Sequence, residues 1–203
     1  MNKHLRWKRW GIVLVVAAAY LVIAPQTLMA KNLDPAMHLS PRQVVQQYCN
    51  LDMRGARLSS QNPYNDAIFA LVAWPDEPGW DSATIVAACK VQRMQIGELK
   101  SEICIQYTVL GTMSGLSVLR AENHPEVVTF VLKKFKGDWK ISRPLIRPHV
   151  SVDAAIASLR TLLSQHTDPQ ESYRLHKTIA TLRSWEDDAT QRKMGPLGLL
   201  PVP

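Results

Sequence analysis

The chain has 203 residues and a formal net charge of +7, which by itself favours a nucleic acid or an anionic membrane as partner. All 17 acidic residues follow Ala30, however, whereas 4 of the 24 Lys and Arg precede it, so the rest of the chain carries only +3. The rest of the chain also contains no run of Lys and Arg interleaved with aromatic residues, and we therefore expect no nucleic acid partner.

The first thirty residues have the pattern of a secretory signal peptide. Four basic residues in positions 3–9 precede an uncharged run over residues 10–30, in which Pro25 breaks the apolar part and Ala30 offers a cleavage site. The run is 21 residues long, which also meets the roughly 20 that an uncleaved membrane anchor needs. We expect an exported protein, periplasmic or secreted, with the membrane as partner only if the leader is retained.

A helix is predicted over residues 41–58. The motif Ser40-Pro41-Arg42-Gln43 has the form of a capping box, in which the Ser and Gln side chains bind exposed backbone donors at the start of a helix. Apolar residues then recur at spacings of 4 and 3: Val44, Tyr48 and Leu51. A short second helix is predicted over residues 65–72, followed by a loop rich in Pro over residues 74–80.

The next part of the chain is rich in Val, Ile, Thr and aromatic residues and predicts antiparallel strands. Turn residues divide it into four segments, over residues 83–94, 102–111, 126–136 and 138–142. The dipeptide Gly137-Asp138 is short enough to form a tight hairpin turn between the last two.

The register of the first hairpin bears on the cysteines, because a slip of one residue moves every side chain to the other face. Pairing Cys89 with Ile105 collects the apolar residues on one face, whereas pairing Cys89 with Cys104 sets apolar residues opposite polar ones. The first register is favoured, so we expect no disulfide between Cys89 and Cys104. With Cys49 the count is three, which allows at most one internal bridge.

Two more helices are predicted after the strands. Ser151 can cap the first, and Asp168-Pro169-Gln170-Glu171 is a second capping box, so the two form a helical hairpin of about 35 residues. The predicted organisation is therefore a leader, an α+β domain, a helical hairpin extension and a Pro-rich tail, over residues 1–30, 31–149, 150–190 and 191–203.

This order of elements resembles the nuclear transport factor two-like superfamily, whose α+β domains have the shape of a cone. The likeness covers about residues 40–149 and includes two motifs: Tyr48-Cys49-Asn50-Leu51-Asp52 in the first helix and Gly137-Asp138-Trp139-Lys140-Ile141 in the closing hairpin. The resemblance implies an α+β fold in which a curved antiparallel sheet of about four strands packs on the N-terminal helix, with the helical hairpin added. The superfamily contains isomerases, dehydratases, binding proteins and dimerisation modules, so the fold leaves function open.

The resemblance also suggests catalytic candidates, because pocket enzymes of that superfamily use an Asp or His as acid or base and a Tyr or Asp as oxyanion donor. Asp52, Tyr107 and Tyr48 match these roles. Burial would raise the pKa of such a carboxyl group toward neutrality and suit it to act as a base. The alternative is that both tyrosines are core residues with satisfied hydroxyl groups and that Asp52 is solvated.

Two further segments carry candidate ligand-binding residues. Trp74 and Trp80 lie in the Pro-rich loop, which forms either a binding rim or a cover folded over the open end of the cone. Arg143, Arg147 and His149 lie in an extended segment that either binds an anion or only links the last strand to the helical hairpin.

The sequence predicts no metal site and no cofactor, since the His residues after the leader are scattered and no Gly-rich phosphate loop or nucleophile elbow is present. The leading hypothesis is a non-enzymatic exported domain that binds a small apolar ligand or a protein partner, with a homodimer through the outer sheet face as a further mode. The alternatives are a pocket enzyme of isomerase or lyase type and a membrane-tethered assembly factor that keeps its leader.

Overall fold

The computed structural model describes residues 38–165 and 168–194, with the side chains at 122, 123 and 187–194 left aside. The predicted leader and residues 195–203 of the predicted tail lie outside this part. The described chain is an α+β domain in which a strongly curled sheet packs against helices, so the predicted general class is confirmed. Within these residues, no helix combines the length and apolar character that crossing a membrane requires.

Two helices precede the sheet, α1 at Pro41–Met53 and α2 at Asn65–Phe69. The predicted capping box is confirmed: the Gln43 N–H donates to Ser40 Oγ at 3.4 Å, and the Ser40 N–H donates to Gln43 Oε1 at 2.9 Å. Helix α1 ends earlier than predicted. Gly55 follows it with a φ of +77°, a left-handed conformation that ends a helix and favours glycine.

The sheet has five strands: β1 at Ser82–Ile96, β2 at Lys100–Ser114, β3 at Ser117–Phe135, β4 at Asp138–Arg143 and β5 at His149–Val150. Their order is β4-β3-β2-β1-β5. The first four are antiparallel, as predicted, whereas the two-residue β5 pairs in parallel with β1 and was missed. The last hairpin turns at Lys136-Gly137, one residue earlier than predicted, and both residues have positive φ as a two-residue turn requires.

The register of the first hairpin differs from the predicted one. At Cys89 the shift is two, because this residue lies opposite Tyr107 and not Ile105. An irregularity after Val91 adds one more residue, so that Arg93 lies opposite Cys104. A shift of two preserves the face of each side chain. Cys89 therefore still packs against the inner core, as predicted, and Cys89 and Cys104 are not opposed.

The sheet has a hydrophobic core on each side. The inner core contains α1 residues and inward side chains of the long strands: Val44, Tyr48, Ile103, Tyr107 and Phe130. The second core lies under the C-terminal helices, α3 at Val152–Gln165 and α4 at Pro169–Met194, and contains Ile85, Leu110, Ile156, Leu175 and Trp185. The predicted helical hairpin is thus packed on the outer sheet face, and α4 extends past the predicted start of the tail at residue 191.

Close packing between α4 and the sheet depends on a glycine. A Cβ atom on Gly111 would lie 2.6 Å from the Trp185 ring and 2.4 Å from the Leu119 carbonyl oxygen. Because real Cβ atoms do not approach other atoms so closely, only glycine lets this indole reach the sheet.

Candidate functional site

A buried arginine lies at the centre of the polar groups inside the domain. The Arg57 side chain is 1% exposed, and it is held from three directions. Its Nε donates to Glu77 Oε2 at 2.9 Å, its Nη1 donates to Tyr48 Oη at 2.8 Å, and its Nη2 donates to the Ile146 carbonyl. A buried cation is tolerated only when it is paired and its N–H groups are satisfied, and these contacts meet that condition.

Asp52 lies beside this cation but is not its main partner. Its side chain is fully buried, which overturns the alternative of a solvated helix residue. Its Oδ2 accepts the backbone N–H of His149 at 2.9 Å and lies 3.4 Å from Arg57 Nη1, whereas Oδ1 has no hydrogen-bond partner. Burial raises the pKa of Asp52 from 3.8 to about 7, although the nearby guanidinium opposes the shift. The Arg57 guanidinium therefore faces two carboxyl groups, and it lies closer to Glu77, at 2.8 Å, than to Asp52, at 3.4 Å.

Glu77 also fixes the Pro-rich loop. The indole Nε1 of Trp74 donates to Glu77 Oε1, and that of Trp80 donates to Glu77 Oε2, each at 3.2 Å. The Arg57 guanidinium lies 6.0 Å from the Trp80 ring centroid, within reach of a cation–π contact. One carboxylate thus connects both tryptophans of the loop to the buried arginine.

Tyr107 belongs to a separate set of contacts. Its hydroxyl group lies 3.2 Å from Cys49 Sγ, and its ring lies 4.3 Å from the His149 ring, centroid to centroid. Burial raises the pKa of Tyr107 well above its usual value. The hydroxyl groups of Tyr107 and Tyr48 are therefore each engaged by a protein partner, Cys49 and Arg57 respectively.

Three cavities open near these residues. A cleft of about 1040 Å³ is lined by Leu58, Phe69, Asp76, Trp80, Asp81 and Leu162, among others. A smaller cavity of about 360 Å³, which we call the Trp80 cavity, is lined by Trp80, Ser82, Glu126, Leu145, Ile146, Arg147 and His149. A third, of about 330 Å³, is lined by Gln46, Asn50 and two cysteines, Cys49 and Cys89.

The Trp80 cavity gathers three of the five predicted ligand-binding residues, namely Trp80, Arg147 and His149. Trp80 comes from the loop before β1, Arg147 from the segment between β4 and β5, and His149 from the start of β5. The other two lie elsewhere: Trp74 is bonded to Glu77, and Arg143 ends β4 with an exposed side chain. None of these three cavities in the described part of the chain is lined by Asp52 or Tyr107.

His149 is the buried polar group of the Trp80 cavity. It is 1% exposed, and its Nδ1 lies 2.9 Å from the Arg147 carbonyl oxygen. Its Nε2 lies 3.4 Å from Glu126 Oε2 but makes no hydrogen bond. Burial lowers the pKa of His149 although the Glu126 carboxylate acts in the opposite direction.

The two cysteines of the third cavity are in contact. The interaction with Cys89, together with burial, raises the pKa of the Cys49 thiol well above its usual value, and the same interaction lowers the pKa of Cys89. All three cysteines are free. In the part of the chain that the structure describes, His, Cys, Asp and Glu form no group of three or more able to hold a metal ion.

Sequence reasoning missed Arg57, Glu77 and Glu126, because the contacts Arg57–Glu77 and Glu126–His149 join separate segments of the chain. Comparison with known proteins adds no assignment: no protein-family model, no curated protein and no solved structure matches the chain.

Proposed function

We propose that this protein is an exported, non-enzymatic domain that binds a small ligand with an apolar body in the Trp80 cavity. The observation that carries this proposal is the convergence of Trp80, Arg147 and His149 on one cavity of about 360 Å³. Small organic ligands bind in cavities of roughly 300–1,000 Å³ that combine apolar walls with a few polar groups. Leu145 and Ile146 supply apolar walls here.

The surrounding surface extends the same site. Trp80 and Ser82 line both the Trp80 cavity and the larger cleft, so the two openings adjoin at the indole. A ligand longer than the cavity can continue along the apolar cleft residues Leu58 and Phe69. This continuity favours ligand binding over a role of the loop as a simple cover.

A pocket enzyme of isomerase or lyase type is the second candidate, and one observation favours it. The pKa of Asp52 is about 7, which suits a general base, and its Oδ1 has no hydrogen-bond partner. Against it, a base must reach a substrate proton, whereas Asp52 is enclosed by Arg57 and His149. Binding without catalysis therefore ranks first.

The fold is consistent with membership of the nuclear transport factor two-like superfamily, and we include this assignment in the proposal. It is supported by the order of α1, α2 and a curled antiparallel sheet that encloses the inner core. Export rests on the leader pattern in residues 1–30. If that leader is retained, the domain is instead a membrane-tethered assembly factor.

Native mass spectrometry of the purified protein tests the proposal. We expect a mature start at Lys31 and a bound small molecule that is lost in Trp80→Ala. Tyr173→Ala, which removes an exposed aromatic side chain on α4, serves as the control and should retain the ligand. Two negative results together contradict the binding function: the purified protein carries no bound small molecule, and no compound in a small-molecule library raises its melting temperature. An intact mass that includes residues 1–30 contradicts cleavage.

A further inference from the structure

The hydrogen bonds of His149 fix which of its ring nitrogens carries the proton. A backbone carbonyl oxygen can only accept, so the contact between Nδ1 and the Arg147 carbonyl at 2.9 Å requires a proton on Nδ1. In a neutral ring Nε2 is then an acceptor with a free lone pair. Nε2 is buried and lacks a partner, and His149 is one of the residues that line the Trp80 cavity.

The group nearest to this lone pair is also an acceptor. Glu126 Oε2 lies 3.4 Å from His149 Nε2, and the Glu126 side chain is 35% exposed. Two acceptors at this distance repel one another unless a donor lies between them or close to both. The cavity therefore presents a paired acceptor site that a group with several N–H donors would satisfy.

The surroundings favour a positively charged donor. Glu126 contributes a negative charge, and Trp80 contributes an aromatic ring that attracts cations to its face. The adjoining cleft adds the exposed carboxylates of Asp76 and Asp81, and also Arg57, whose charge is paired with Glu77. Arg147 brings a positive charge to the lining, but its side chain is exposed, where water and salt screen it.

We propose that the Trp80 cavity binds its ligand through a protonated amine, which donates to His149 Nε2 and to the Glu126 carboxylate while the apolar body packs against Trp80 and Ile146. An ammonium group has three donors and no acceptor, and so matches a site made of acceptors. The inference rests on the proposed binding function and specifies the chemical class of the ligand.

Titration of the full protein with a matched pair of probes tests this inference. The probes are 2-phenylethylamine, which is protonated at pH 7, and 2-phenylethanol, which has the same shape without the charge. Nuclear magnetic resonance follows the Trp80 indole N–H, and calorimetry gives the affinities. We expect the amine to bind about tenfold more tightly than the alcohol or better, since a charge-assisted hydrogen bond contributes on that order.

Variants then locate the effect. Glu126→Gln keeps the size of the side chain but removes its charge, and should abolish the preference for the amine while the Trp80 indole signal still shifts. Glu102→Gln is the control, because Glu102 is a surface carboxylate on β2 paired with Lys100 at 2.7 Å. It should leave the preference unchanged. Glu126 is partly exposed, so the substitution is not expected to prevent folding.

The outcomes separate this inference from the proposed function. Equal affinities for both probes overturn the amine site but leave a small-ligand cavity standing. A preference that persists in Glu126→Gln also overturns it, since the carboxylate would then play no part. Binding of neither probe by a protein that retains another ligand in native mass spectrometry rejects the amine site alone, whereas absence of both kinds of binding rejects the proposed function as well.

Discussion

The buried carboxyl group of Asp52 leads to a prediction about the dependence of stability on pH. Its pKa is raised from 3.8 to about 7 in the folded protein, so the folded state binds a proton that the unfolded state has already lost between these values. Such a group contributes stability that is fully present below pH 3.8 and is lost as the pH rises through about 7. Replacing Asp52 with Asn removes this contribution and its dependence on pH.

The magnitude follows from the two pKa values. One pKa unit corresponds to about 1.4 kcal/mol, and the linkage integrated from pH 5 to pH 7 gives a loss of about 2 kcal/mol. The Asn side chain has nearly the same size as that of Asp. Its Oδ1 can still accept the backbone N–H of His149, which Asp52 accepts at 2.9 Å. The free energy of unfolding of Asp52→Asn minus that of the wild type should therefore increase by about 2 kcal/mol from pH 5 to pH 7.

Urea unfolding at pH 5, 6, 7 and 8, followed by tryptophan fluorescence, measures this difference. His149 has a lowered pKa and destabilises both proteins as the pH falls, so its effect cancels in the comparison. Asp76→Asn, which alters an exposed carboxylate in the Pro-rich loop, is the control and should show no such trend. A difference between Asp52→Asn and wild type that is independent of pH would refute the reasoning, because Asp52 would then be ionised in the folded protein and share the Arg57 charge with Glu77.

Two further predictions concern packing and the cysteines. Gly111→Ala should lower the free energy of unfolding by about 1–3 kcal/mol, since its Cβ would overlap the indole of α4, whereas Gly79→Ala, with no atom within 4 Å, should have little effect in the same urea assay. Oxidation by glutathione disulfide should join Cys49 to Cys89. The Cys89 thiolate attacks glutathione disulfide, which forms a mixed disulfide and releases one glutathione thiol; Cys49 then attacks the Cys89 sulfur and releases the second glutathione thiol. Peptide mapping should find Cys104 outside the bridge, and a Cys89–Cys104 link would contradict the observed register.

Local signals in the sequence predicted the start of α1 and the general class of the fold. The Ser40–Gln43 capping box depends on residues three apart, so the sequence alone contains all of it. The alternation of apolar residues likewise placed Cys89 on the inner face. The exact residue pairing of β1 and β2 could not be predicted, because irregularities after Ile85, Val86 and Val91 shift the register. The local sequence contains no pattern that indicates such a bulge.

The site was less predictable, since its contacts join distant segments. Tyr48 and Asp52 are four residues apart on α1, a spacing that places both on one face of the helix, and both are buried. Arg57 follows the helix and pairs with Glu77, twenty positions further along, so no periodicity marks either residue. Glu126 could not be predicted either, because it lies on β3 and meets His149 of β5 only in the folded chain.

The buried polar network and the Trp80 cavity form one structural unit. Arg57 holds Glu77, and Glu77 in turn accepts from the Trp80 indole, which fixes one wall of the cavity. Two other lining residues are held by the same network: Asp52 accepts the backbone N–H of His149, and Arg57 donates to the carbonyl of Ile146. The charged groups that first suggest catalysis therefore hold the residues of the proposed binding cavity in place. This arrangement explains how Asp52 can be buried and polar without facing a cavity, and why we assign the network a positioning role and the Trp80 cavity the binding role.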